Sequence, residues 1–121
     1  MSSSAQAYAR TAQTTSSARE IEAQALLMAA MHLQNAVTNW AKGDTDISSA
    51  LLFNRKLWSI FLSASTSDEN PQTLEVRQNI ANIGMFVMTQ TMELQVRPDP
   101  DRIKPLIEIN RNLAAGLSGR A

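Results

Sequence analysis

Apolar residues recur every three or four positions along most of the chain, which is the spacing of one face of a helix. No segment alternates apolar and polar residues with a period of two, and no hairpin dipeptide such as Asn-Gly occurs. The pattern therefore predicts an all-α protein. We predict a small bundle of about four helices with short connections, roughly at residues 17–41, 46–64, 71–96 and 102–117.

Local start and stop signals set the predicted boundaries of the first two helices. Ser17 and Glu20 have the spacing of a capping box, in which each side chain satisfies a free backbone amide at a helix start. Gly43 follows the last apolar residues of this helix and predicts a left-handed cap. Asp44 or Asp46 is predicted to cap the second helix.

Prolines set the predicted boundaries of the last two helices. Asn70-Pro71 predicts a cap followed by the first residue of the third helix. The stretch RPDPD, residues 97–101, ends that helix because proline cannot continue the hydrogen-bond ladder. Pro105 is tolerated best in a first turn, so the last helix is predicted to begin late, near residue 102.

The domain organisation follows from length and composition. A chain of 121 residues is the size of one domain. Residues 1–15 are rich in Ser, Ala, Thr and Gln, and we predict a mobile arm, or one that orders only on a partner. Residues 16–117 then form a single helical-bundle domain, and residues 118–121 form a tail.

Two Asn-Arg motifs interrupt apolar runs, in FNRKLW and in INRNL. Projected at about 100° per residue, Asn54 lies with Trp58 in the middle of one apolar face, and Asn110 lies in the middle of another. Arg55 and Arg111 point towards the rim. A buried, unpaired amide costs about 1–3 kcal/mol, so we predict that the two Asn side chains share one inter-helix layer. The layer either fixes helix register or lines a polar notch for a partner's backbone.

Several side chains fall off the predicted core faces. Leu27 and Met31 form a second apolar stripe on the first helix, and Phe86 lies among polar residues on the third. The apolar arc of the third helix is wide, so we expect that helix to be central, with Gly84 permitting a close crossing. For Phe86 the competing explanation is incidental exposure. For Arg55, Lys56 and Arg111 it is a solvated or ion-paired rim. The predicted partner contacts are Leu27, Met31, Arg55, Lys56, Phe86 and Arg111.

Residues that carry catalytic or metal chemistry are scarce. The chain has no Cys, and its one His, His32, lies on the apolar side of a helix, where we expect a packed core residue. No Gly-rich phosphate loop occurs, and DTDISSALL lacks the Gly and the closing Glu of a calcium loop. We therefore expect no enzyme, no cofactor and no metal.

Charge and hydropathy limit the kinds of partner and the cellular location that we expect. Eleven basic and eleven acidic residues give a formal net charge of zero, which argues against direct binding of nucleic acid. No apolar run approaches the roughly 20 residues that span a bilayer, so membrane insertion is not expected. The first residues lack the order of a signal peptide, and we expect a cytoplasmic protein.

Four stretches in their order along the chain resemble the FlaF family of flagellar biosynthesis proteins of alphaproteobacteria: SSAREIEAQAL, ALLFNRKLW, LEVRQNIANIGMFVMTQT and PLIEINRNLAAGL. The sequence departs from the family pattern at Phe53, where Trp is expected, at Lys56, where Arg is frequent, and at Pro105. The resemblance implies a cytoplasmic protein that binds flagellin as a secretion chaperone and promotes flagellin production and export. It also implies action opposite FlbT, a repressor of flagellin translation. No flagellin-contacting residue is carried over from the resemblance.

Three hypotheses for the function remain open. An exposed apolar surface cradles an amphipathic helix from the terminal segments of flagellin, which stay unfolded until assembly. Alternatively, the protein regulates flagellin synthesis after transcription, with FlbT or through the flagellin message, without binding flagellin itself. A third hypothesis is a ligand-sensing bundle in which Asn54 and Asn110 line a polar pocket. The basic residues that would contact the message are Arg55, Lys56, Arg97, Arg102 and Lys104.

Overall fold

The computed structural model describes residues 3–119, with the backbone alone for residues 3–5 and 7–17. All regular secondary structure in the described chain is helical. The predicted all-α class and the predicted number of helices are therefore confirmed. The helices are α1 (Ser3–Ala41), α2 (Ser48–Ser65), α3 (Leu74–Val96) and α4 (Pro100–Leu117).

Helix α1 begins at Ser3, so the predicted start at Ser17 is wrong. No Gly or Pro occurs between Ser3 and Ala41, and this stretch is rich in Ala, the residue with the highest helix propensity. The capping-box spacing therefore lies inside a continuous helix. The predicted mobility of residues 1–15 stays a prediction. The predicted end is confirmed, since Gly43 has a left-handed φ of 97°.

Helix α2 begins at Ser48, two residues later than predicted. Two aspartates precede it, and each accepts a hydrogen bond from the backbone N–H two residues further on. The carboxylate Oδ1 of Asp46 accepts a hydrogen bond from the Ser48 backbone N–H at 3.0 Å. Asp44 Oδ1 accepts one from the Asp46 N–H at 3.1 Å. The bond from the Ser48 backbone N–H lowers the pKa of Asp46. Asp46 thus satisfies the first amide of α2.

Helix α3 begins at Leu74, and its N-cap is Thr73, whose side chain accepts from the Val76 N–H at 3.2 Å. The start predicted at Asn70-Pro71 is therefore wrong. Thr is a favoured N-cap residue, and here it lies closer to the apolar run than Asn70 does.

Asn70 closes the connection before α3. Its Oδ1 accepts from the Gln72 N–H at 2.9 Å, and its Nδ2 donates to the Ala64 carbonyl at 3.0 Å. The side chain thereby ties the end of α2 to residues 66–73. The sequence signal for a cap was real, but Asn70 forms an Asx turn instead of starting the helix.

Helix α4 begins at Pro100, and Asp99 caps it by accepting from the Asp101 N–H at 3.0 Å. Pro105 therefore lies inside the helix, and the predicted late start is wrong. Pro105 lacks the N–H that would bond the Asp101 carbonyl. Both residues are exposed, so water can hydrate that carbonyl, and the helix continues through the proline.

The helices pack as two close pairs, α1 with α4 and α2 with α3, whereas α3 and α4 make the least contact of any adjacent helices. In the described chain, no Cα of α2 lies within 8 Å of α4, and the same holds for α1 and α3. These two combinations are therefore diagonal across the bundle. The largest fully buried apolar side chains are Trp58, Leu26, Leu33, Leu51, Leu94, Ile103, Leu106 and Val87.

Helix α3 is peripheral, so the prediction that it is central is wrong. Only Gly84, Val87, Thr91 and Leu94 are buried along its length. The close crossing predicted at Gly84 is confirmed, because a Cβ at this position would lie 2.6 Å from Leu62 Cδ2. Ile80 and Met88 are half-buried against the core, and the large apolar side chains in the rest of the arc are exposed.

Candidate functional site

The two Asn-Arg motifs meet in the centre of the bundle, as predicted. Asn54, Trp58 and Asn110 are each 0 % exposed. Asn110 Nδ2 donates to Asn54 Oδ1 at 2.7 Å, and Trp58 Nε1 donates to Asn110 Oδ1 at 2.9 Å. The helical projection could place both Asn residues and Trp58 on core faces, but it could not show that the Trp58 indole completes the layer.

This polar layer joins the diagonal helices α2 and α4. Because no backbone contact holds these two helices together, a shift of either along its axis would break both side-chain bonds. Asn54 Nδ2 has no hydrogen-bond partner among the described residues. The geometry supports the interpretation that the layer fixes register. It contradicts the hypothesis that Asn54 and Asn110 line an open polar pocket.

His32 is exposed, and its ring lies against Phe53 with centroids 5.0 Å apart. The prediction that it is a packed core residue is therefore wrong, because the flank of α1 that faces α2 is open to solvent. In the described chain, no group of three or more His, Asp or Glu side chains is placed to hold a metal ion.

The six predicted partner contacts are all exposed, but they are distributed over four helices. Leu27 and Met31 lie on α1, whereas Phe86 lies on the diagonal helix α3. A single groove between two neighbouring helices therefore cannot contain both the Leu27–Met31 pair and Phe86. The remaining three are the basic residues Arg55 and Lys56 on α2 and Arg111 on α4.

Sequence reasoning missed most of the exposed apolar surface. Of thirteen large apolar side chains that are exposed in the described chain, seven belong to α3 and none to α4. The signal was present in the width of the apolar arc of α3, which we assigned to the core. The seven are Leu74, Val76, Ile83, Met85, Phe86, Met92 and Val96.

Two of the five basic residues considered for contact with a message are paired within the chain. Arg102 forms an ion pair with Glu93 and donates to Gln90 Oε1 at 2.9 Å. Lys104 lies 3.2 Å from the carboxylate of Asp101. These pairs reduce the positive charge that the set could offer to phosphates.

Two surface cavities lie at opposite ends of α3. One, of about 510 Å³, opens where α1, the end of α2 and the connection to α3 meet, and it contains Arg19 and Glu22. Burial raises the pKa of Glu22, and the charge of Arg19 opposes that shift. The other, of about 450 Å³, is lined by Met92, Glu93, Val96, Arg97 and Arg102.

The fold and its surface define a class of protein: a small helical bundle with a polar register layer inside and an unusually apolar exposed helix outside. None of the described helices has the length and hydropathy of a membrane span. The family model of the flagellar protein FlaF matches residues 4–117, so the chain belongs to the FlaF family. Comparisons with curated proteins and with solved structures give no match.

Proposed function

We propose that this protein binds flagellin as a secretion chaperone in the cytoplasm and thereby promotes flagellin production and export, without catalysing a reaction. Membership of a flagellar family supports the flagellar context. The observation that carries the proposal is the exposed apolar surface, with seven large apolar side chains on α3 alone. Such a surface is typical of proteins that receive amphipathic helices, and Met side chains adapt to different partners.

The alternative, a post-transcriptional regulator that acts on the flagellin message or with FlbT, has less support. Binding of RNA requires a concentration of positive charge, but the chain is neutral overall. The internal ion pairs of Arg102 and Lys104 weaken the basic set further.

Size-exclusion chromatography of the purified protein with monomeric flagellin from the same organism tests the proposal. We expect the two proteins to elute together in a peak that is earlier than either alone. Separate elution at micromolar concentrations would overturn the chaperone function. A salt-dependent shift of the flagellin leader RNA by the protein would then favour the regulator.

The predicted contacts are tested in separate variants, because they lie on diagonal helices. One variant carries Leu27→Asp and Met31→Asp, and another carries Phe86→Asp. A control with Ser49→Asp and Ser63→Asp adds the same two charges as the α1 variant at exposed polar positions of α2, and Ser63→Asp alone is the control for Phe86→Asp. Loss of co-elution in one variant but not in the control would assign the corresponding helix to the contact.

A further inference from the structure

The outward side of α3 carries apolar residues at the spacing of a helix–helix seam. We define the outer stripe of α3 as Leu74, Ala81, Met85, Met88, Met92 and Val96. Successive members from Ala81 onwards are separated by three or four positions, as in a helix that packs along another helix. Four of the six, Leu74, Met85, Met92 and Val96, are 62–79 % exposed. Met88 lies at the edge of the stripe and also packs against the core. The four exposed members therefore have the pattern of a packed face but no partner among the described helices.

The outer stripe is also free of charge. Helix α3 contains three charged residues, Glu75, Arg77 and Glu93, and at about 100° per residue all of them project outside the stripe. Two of the three are used within the chain, because Arg77 donates to the Ser67 carbonyl at 2.9 Å and Glu93 pairs with Arg102. An exposed helix face normally carries charged side chains, so their exclusion indicates a surface that becomes covered.

A single positive charge lies at one end of the stripe. The cavity of about 450 Å³ joins the apolar side chains of Met92 and Val96 to Arg97 and Arg102. Glu93 offsets the charge of Arg102. Arg97 is exposed and forms no ion pair with the described residues, so this end of the stripe carries a net positive charge.

We propose that the outer stripe of α3 is the docking surface for an amphipathic helix of flagellin, whose contact face is apolar and ends in an Asp or Glu side chain that pairs with Arg97. The proposal rests on the proposed function, since it names the surface through which flagellin is bound. Charge complementarity specifies the chemistry of the partner face, which is uncharged along the stripe and carries one carboxylate opposite Arg97. The proposed function supplies flagellin as the source of that helix. From Leu74 to Val96 the stripe is about 33 Å long, which matches a partner helix of about 20 residues.

The test uses the full-length protein and monomeric flagellin, with the dissociation constant measured by titration calorimetry. The stripe variant carries Met85→Asp and Met92→Asp, and its control carries Asn79→Asp and Asn82→Asp, which add equal charge at exposed positions of α3 outside the stripe. We expect the stripe variant to bind at least about tenfold more weakly and the control to bind within about twofold of the wild type. Circular dichroism melts should show both variants folded, because the altered side chains are exposed.

Substitutions of Arg97 test whether the partner helix carries an acidic side chain at this end of the stripe. We expect Arg97→Glu to weaken binding more than Arg97→Ala, and Arg97→Ala to weaken it about twofold to fivefold, with the loss disappearing at high salt. Arg97→Lys should retain most of the affinity. Equal affinities for all three variants would overturn the assignment of an acidic side chain to this end.

Other outcomes separate this proposal from the proposed function. If flagellin binds the stripe variant and the wild type equally, the docking surface is wrong and the chaperone function stands. If flagellin does not bind the wild type, both are wrong. If the wild type alone is a dimer by light scattering and the stripe variant is a monomer, the stripe instead joins two copies of this chain.

Discussion

The motifs Asn54-Arg55 and Asn110-Arg111 have the same shape in the sequence but unequal roles in the bundle. Asn110 uses both ends of its amide, accepting from Trp58 and donating to Asn54. Asn54 accepts one bond, and its Nδ2 has no partner among the described residues. Similar burial therefore does not imply similar importance. Asn110 is the centre of the layer, and Asn54 is its end.

The largest effect is expected for Asn110→Leu. The substitution leaves the Trp58 indole N–H and the whole Asn54 amide buried and unpaired, at about 1–3 kcal/mol for each, so we expect a loss of about 2–5 kcal/mol in the free energy of unfolding. Urea denaturation measures the loss. Asn112→Leu, at an exposed position of the same helix, is the control and should change stability little.

The double variant Asn54→Leu with Asn110→Leu is expected to be more stable than Asn110→Leu alone. The second substitution removes the unpaired Asn54 amide, so the Trp58 N–H remains as the unpaired group, at about 1–3 kcal/mol. The same urea experiment measures the difference. A double variant less stable than Asn110→Leu would show that Asn54 has partners besides Asn110.

Asn54→Leu alone is expected to cost less than about 1.5 kcal/mol, because it unpairs Asn110 Nδ2 but removes a donor that already lacks a partner. Thermal and urea unfolding should both show a smaller loss in the free energy of unfolding for Asn54→Leu than for Asn110→Leu. Equal losses for the two single variants would refute the inequality between the motifs.

The smallest effects are expected at the arginines. Arg55 and Arg111 are exposed and form no ion pair with the described residues, so Arg55→Ala and Arg111→Ala should each change stability by less than about 0.5 kcal/mol. Calorimetric melts of both variants measure this. A loss above about 1 kcal/mol in either would mean that the arginine, and not only its Asn neighbour, holds the bundle.

Helical periodicity predicted the core faces of α2 and α4 well. It placed Asn54, Trp58 and Asn110 on core faces because burial follows the angular position of a residue on its own helix. It could not reveal the direction of the bonds, which depends on how two diagonal helices meet. The inequality between the two Asn residues therefore required the structure.

Helix boundaries and the position of α3 were predicted less well, for physical reasons. Local signals at Ser17, Asn70 and Pro105 are weak compared with uninterrupted helix propensity and packing, which decided the starts of α1, α3 and α4. The apolar arc of α3 has the same pattern whether it packs inside a bundle or awaits a partner outside it. Periodicity alone does not distinguish these cases.

The contact between Gly84 and Leu62 has a consequence for the family as a whole. Because a Cβ at position 84 would lie 2.6 Å from Leu62 Cδ2, a side chain there requires Leu62 to move or to be replaced by a smaller residue. Related chains that carry Ala or Ser at position 84 should therefore carry a smaller residue than Leu at position 62. The two positions should vary together across evolution, although they lie on different helices.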